Sequence, residues 1–127
     1  MTSEPTIRKV HADARGEMYS IAIGDRELLL LHSVKGSLRG GHSHDVPETV
    51  MVLTGEMEYH KRPNAVVPLE QTLRDGDCSY NAAGEIHMGE FTEDTWLLEW
   101  KLCKDKGSWR NHDFEPWREQ VHASAAS

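Results

Sequence analysis

With 127 residues the chain has room for one domain, one hydrophobic core and one site, since a second barrel or sandwich would need about twice that length. Against 21 Asp and Glu stand 14 Lys and Arg, a net charge of −7, which excludes a nucleic acid or an anionic membrane surface as the main partner and leaves small molecules, phosphorylated ones included. Two cysteines, Cys78 and Cys103, are too few for a disulfide framework and lack metal-knuckle spacing; with no apolar run of roughly 18 residues and no secretion core in MTSEPTIRKV, the expectation is a soluble, cytoplasmic protein with half-buried thiols.

The first ten residues read as a short arm. From 18 to 103 the apolar residues come in short runs broken by Gly, Pro, Asn and Asp, the pattern of an all-β barrel or sandwich. Strands are expected over 18–23 (MYSIAI), 26–34 (RELLLLHSV), 48–54 (ETVMVLT), 56–60 (EMEYH), 69–73, 77–81, 86–91 and 95–103 (TWLLEWKLC). Eight strands suit a jelly roll. The run 50–53 (VMVL) is apolar on both parities, so one side fills the barrel and the other meets a second sheet or subunit; a homodimer is expected. In 95–103, Trp96, Leu98, Trp100 and Leu102 share one face and Glu99 and Lys101 the other, so that strand is half buried. Further on, Glu115-Pro116-Trp117 puts proline at a first helical position, predicting one or two turns over 116–122. Trp109, Phe114 and Trp117 would pin this C-terminal cover, 104–120, to the barrel, and 121–127 would form a frayed tail. The whole chain, 1–127, reads as one domain with no internal repeat.

Eight histidines are the compositional oddity, histidine being the commonest metal ligand. His42 and His44 are two residues apart, so on an extended strand both imidazoles point to one side. Glu48 shares their parity, although Pro47 breaks the ladder in between and suggests a loop or bulge. His87 opens another strand, which a closed barrel would bring opposite the first three. Three imidazoles and a carboxylate suit a divalent transition metal such as Fe, Mn, Zn, Ni, Co or Cu and suit Ca or Mg poorly. An octahedral shell would leave two positions open for water or substrate; a tetrahedral one would be closed and structural, and the sequence leaves both open. His11, His32, His60, His112 and His122 lack such company, and Asp75 and Asp77 around Gly76 read as turn residues.

In these residues the chain resembles the cupin family. The first cupin motif, glycine, five residues, His-x-His, three residues, Glu, six residues, glycine, is matched by Gly36, His42, His44, Glu48 and Gly55. The second is matched at Gly76, Gly84 and His87, with Ala82 in place of proline and Phe91 in place of asparagine. The resemblance implies a cupin-type jelly-roll β-barrel with a metal held by His42, His44, Glu48 and His87. The 20 residues between the motifs, 56–75, leave no space for an inserted domain.

Cupin folds host many activities, so the reaction must come from the pocket. Arg39, Tyr59, Tyr80 and Trp96 are expected to line it: Arg39 to hold a carboxylate or phosphate, Tyr59 or Tyr80 to act as a general acid. The leading reading is a metal-dependent enzyme whose ion chelates an acid, enol or keto substrate, dioxygenase-like with iron and isomerase- or lyase-like with Zn, Mn or Ni. A second reading rests on Asp13-Ala-Arg15-Gly16 and Arg39-Gly40-Gly41-His42-Ser43-His44, which look like the Asp-x-Arg-Gly and Arg-Gly-x-His-x-His pattern of cupin nucleotide-sugar ketoisomerases. That likeness implies acid and base roles for His42 and His44 without metal. A third reading is a non-catalytic barrel that uses its metal to hold an effector.

Overall fold

The computed structural model describes residues 4–62, 69–101 and 109–111, with His42 and 109–111 described by their backbone alone. Among them the chain forms eleven strands: β1 (Thr6–Asp13), β2 (Gly16–Ile23), β3 (Arg26–Ser33), β4 (Leu38–His44), β5 (Glu48–Thr54), β6 (Glu56–Arg62), β7 (Leu69–Arg74), β8 (Cys78–Asn81), β9 (Ile86–Phe91), β10 (Thr95–Lys101) and β11 (Trp109–Asn111). They form two antiparallel sheets, one in the order β1-β2-β3-β10-β5-β8 and the other β11-β4-β9-β6-β7. None of the described residues is helical, so among them no helix is long and apolar enough to cross a membrane.

Alternate residues of each strand meet between the sheets. Leu31, Val50, Val52 and Leu97 come from the six-stranded sheet, and Met57, Tyr59, Leu73 and Phe91 from the five-stranded one. Phe91, where the second motif has asparagine, is 1% exposed and fills this core. The turn at Ala82, where the second motif has proline, is held by hydrogen bonds: Glu85 N donates to the Ala82 carbonyl at 3.1 Å and Gly84 N to the His44 carbonyl at 2.7 Å. The turn before His87 is thereby tied directly to the strand that carries His44.

Three strands differ from the expected eight. The expected N-terminal arm is a strand from Thr6 onward: Thr6 to Asp13 pair with β2 from Thr6↔Ala22 to Asp13↔Gly16. Every β1 residue is exposed, so the backbone ladder holds this strand and no periodic burial marks it in the sequence. Leu38–His44 (LRGGHSH) has two glycines and no β-branched residue, and becomes β4 through its neighbours β9 and β11. Trp109–Asn111 form β11, so this part of the expected C-terminal cover extends the sheet. The proposed turns at 116–122, the tail at 121–127 and Cys103 lie outside the described residues, and Cys78, expected to be half-buried, is exposed.

Strand β10 has the expected alternation with its faces exchanged. Thr95, Leu97 and Glu99 pair with the inward residues Ser33, Leu31 and Leu29, whereas Trp96, Leu98 and Trp100 lie opposite His32, Leu30 and Leu28 on the outer face. Glu99 and Lys101 therefore belong to the barrel side and the tryptophans to the outside.

Candidate metal centre

Three of the four expected ligands can be placed by their side chains. His44 ends β4, Glu48 begins β5 and His87 is the second residue of β9, so all three sit at one end of the barrel. Nε2 of His44 lies 3.6 Å from Oε2 of Glu48, and Nε2 of His87 lies 3.6 Å from Oε1. One donor atom from each falls within 4.8 Å of the others. Bonds of ~2.1 Å to one ion put neighbouring donors roughly 3.0 to 3.4 Å apart, so an inward adjustment of the side chains would close this set on a cation. The donor set, two imidazoles and a carboxylate, fits a divalent transition metal.

The surroundings favour that use of the atoms. His87 Nδ1 donates to the Glu85 carbonyl at 3.2 Å; a carbonyl only accepts, so Nδ1 carries a proton, and Nε2, the nitrogen left to bind a cation, is directed at Glu48. The Glu48 side chain is 3% exposed, with Lys101 Nζ 3.8 Å from its Oε2. The His44 and His87 rings stack with centroids 5.5 Å apart.

His42 is placed by backbone register, opposite His87 on one side and Asn111 on the other; the expectation for its imidazole lies outside the described residues. Its register depends on an irregularity between Gly40 and His42. Gly40 has φ +91°, and a Cβ there would lie 2.9 Å from the His87 carbonyl oxygen. Only glycine lets β4 come this close to β9 beside the candidate ligands.

The other expected pocket residues separate into two groups. Arg39 and Tyr59 point into the barrel. Arg39 is 7% exposed, its Nε donating to Ser33 Oγ at 2.6 Å and its Nη2 to the His32 carbonyl at 3.2 Å. Burial, and then the nearby Arg15, pull its guanidinium below the usual arginine value. Tyr59 accepts a hydrogen bond from Asn81 Nδ2 at 2.6 Å, and its ring centroid is 6.0 Å from that of His87. Burial, with Glu99 next in effect, pushes the phenol well above its normal range, so it stays protonated. By contrast, Tyr80 is 53% exposed and pairs with Thr49 on the outer parity of β5, and Trp96 stacks on His32 outside the barrel. Neither lines the candidate site.

Sequence reasoning missed Glu99 and Asn81 as pocket residues. Burial raises the Glu99 carboxyl, opposed by Lys101 and then by Arg39, so the barrel holds a second acid besides Glu48. The misleading signal was the apolar outer face of β10, which resembles a core-facing stripe. Asn81 pairs with Glu48 in the β5–β8 ladder and is 2% exposed; a single asparagine at a strand end carries no pattern of its own.

Comparison with known proteins places the fold. No family model matches the chain, and no curated protein matches its sequence. Among solved structures, the Staphylococcus aureus capsular polysaccharide assembling protein CapF is similar, with TM-score 0.66 and 19% identity over 76% of this chain and 28% of CapF. The chain thus spans under a third of CapF's length. A structure of the DMSP lyases RdDddP and RnDddQII gives TM-score 0.67 and 15% identity over 84% of this chain and 63% of that one. KdgF from Halomonas sp. gives 0.62 and 14%, covering 77% and 88%. The fold is an all-β, cupin-type jelly roll.

Proposed function

We propose that this chain is a metal-dependent enzyme acting on a small, oxygen-rich acid, enol or keto compound that chelates the ion through two oxygens. The observation that carries the reading is the convergence of His44 Nε2, Glu48 and His87 Nε2 within 4.8 Å at one end of a barrel whose interior also holds Arg39, Tyr59 and Glu99. Held by these side chains, with His42 as a fourth ligand, a divalent transition metal would supply Lewis acidity toward a substrate oxygen. Solved structures of similar fold include lyases, which is compatible with isomerase- or lyase-like chemistry.

The chain's own groups define what happens around that oxygen. Among the described residues Arg39 has its Nε and Nη2 engaged, which leaves Nη1 to hold a substrate carboxylate. Tyr59, kept neutral by burial, donates a hydrogen bond to a substrate oxygen and does not act as a base at neutral pH. Glu99 exchanges a proton more readily, because burial raises its carboxyl while Lys101 and Arg39 hold it back.

The test is metal analysis of protein purified without added metal, followed by turnover assays on 2-oxo acids and catechols with and without chelator. Stoichiometric metal that is lost in His87→Ala and Glu48→Ala, together with chelator-sensitive turnover, is the expected result. Absence of stoichiometric metal overturns the reading, and metal without turnover favours a barrel that only binds an effector.

A second reading, the nucleotide-sugar ketoisomerase, is favoured by one feature. Asp13 grips Arg15 through Nη2 at 2.6 Å and Nε at 3.0 Å, and Arg15 lies near enough to Arg39 to act on it electrostatically. Two guanidinium groups near one another would suit a diphosphate. Calorimetry with a thymidine-diphosphate sugar separates the readings: binding unaffected by chelator supports the ketoisomerase, and no binding leaves the metal enzyme.

A further inference from the structure

A lysine is buried beside the candidate ligands. Lys61 has the same inward parity on β6 as Tyr59, stands directly opposite His87 in the β6–β9 ladder and is 6% exposed. Its Nζ reaches across to the other sheet. There it donates to the Tyr80 carbonyl at 2.6 Å and to Ser79 Oγ at 3.3 Å, both on β8, and it lies 3.2 Å from Oε1 of Glu85, just before β9. Ser79 Oγ in turn donates to Gln71 Oε1 at 2.9 Å.

We infer that Lys61 is the positioning residue of the metal centre: its ammonium clamps both ends of segment 81–84, the connection against which His44, Glu48 and His87 are all set. Each of these three ligands is tied to that segment or its flank. Asn81 pairs with Glu48 in the β5–β8 ladder. Gly84 N donates to the His44 carbonyl at 2.7 Å, and the Glu85 carbonyl accepts from His87 Nδ1 at 3.2 Å. Strands β4, β5 and β9 thus meet through one short connection, which Lys61 holds from inside the barrel.

The segment has little means of holding itself. Ala82, Ala83 and Gly84 are exposed and offer no side chain to anchor it. Ala82 also leaves φ free where a proline would fix it, so an attachment from outside the segment counts for more.

Stability alone is a weak reason for such a lysine. Burying an ammonium with a carboxylate gains little, because the desolvation of both charges offsets their attraction. What the pair supplies is direction. Nζ already faces three acceptors, the number of protons it carries, so it acts through the segment rather than on a substrate.

The role assigned to Lys61 rests on the metal centre proposed above, so the test uses the metal itself, Co²⁺, on the full chain. Co²⁺ affinity, measured by competition with a chromogenic chelator, should fall about 10- to 100-fold in Lys61→Met. The visible absorption of the bound Co²⁺ should shift as well, since ligand geometry sets it. Lys61→Met leaves Glu85 without its cation, so the double variant Lys61→Met/Glu85→Met separates geometry from stability. Its melting temperature should return close to wild type, while Co²⁺ affinity stays at least about tenfold weaker. A double variant that regains affinity together with stability overturns the inference, because Lys61 then only supports the fold. Wild-type affinity in Lys61→Met does the same. A wild-type chain that takes up no Co²⁺ removes the metal centre, and the role of Lys61 with it. If neither Lys61 variant folds, Glu85→Gln decides: it keeps the volume, removes the carboxylate that Nζ faces and should weaken Co²⁺ binding about tenfold, and unchanged affinity there rejects the role.

Discussion

Glu48 is the residue on which the candidate centre turns. A carboxylate 3% exposed is costly to bury alone, and here His44, His87 and Lys101 all approach within 3.8 Å. Glu48→Gln keeps the volume but removes the charge, and metal affinity measured by competition with a chromogenic chelator should fall by more than about tenfold. Glu99 gives a prediction of opposite character. Its folded pKa is raised above the unfolded value, so the folded state binds the extra proton. Stability is then fullest below the ordinary glutamate value and declines as pH rises through the raised one. Glu99→Gln removes that decline: its melting temperature should exceed wild type at pH 8, with the difference shrinking toward pH 4. A wild-type melting temperature that rises over that interval relative to the variant would contradict the assignment.

At the level of the strand, β4 shows how a weak local sequence is given its shape by its neighbours. Arg39-Gly40-Gly41-His42 has poor strand propensity, and only pairing with β9 and β11 makes it extended. Gly40→Ala forces a Cβ to within 3.2 Å of the Met88 Cα as well as against the His87 carbonyl, at φ +91°. Urea unfolding should show a loss of about 1 to 3 kcal/mol, accompanied by weaker metal binding. Gly24→Ala is the control, because its φ is +60° but no atom lies within 4 Å; it should cost about 1 to 2 kcal/mol and leave metal binding alone. Strands β5 and β10 were legible from their alternation, yet their orientation was not. Leu98 and Leu97 are chemically the same, so period alone cannot say which faces inward when the outer face is also apolar.

Across the whole molecule, metal binding and folding should be linked. The candidate ligands come from β4, β5 and β9 and meet only when both sheets close, so an ion that binds the folded state stabilises it by mass action, ~2.7 kcal/mol at 100 times the dissociation constant. Chelation should therefore lower the melting temperature of metal-loaded protein, and His87→Ala should show no such response. The barrel and the spacing of His42, His44, Glu48 and His87 could be read from the chain because short apolar runs and glycine-punctuated turns are local signals. Strand β1 left no such trace, being exposed along its length. Tertiary structure alone put Glu99 and Asn81 inside beside the expected Arg39 and Tyr59, turned Tyr80 and Trp96 out, and gave β3, β10 and β5 a second apolar face. The physical reason is that a residue's parity follows from its own strand, whereas the side of a sheet that becomes interior depends on what packs against it.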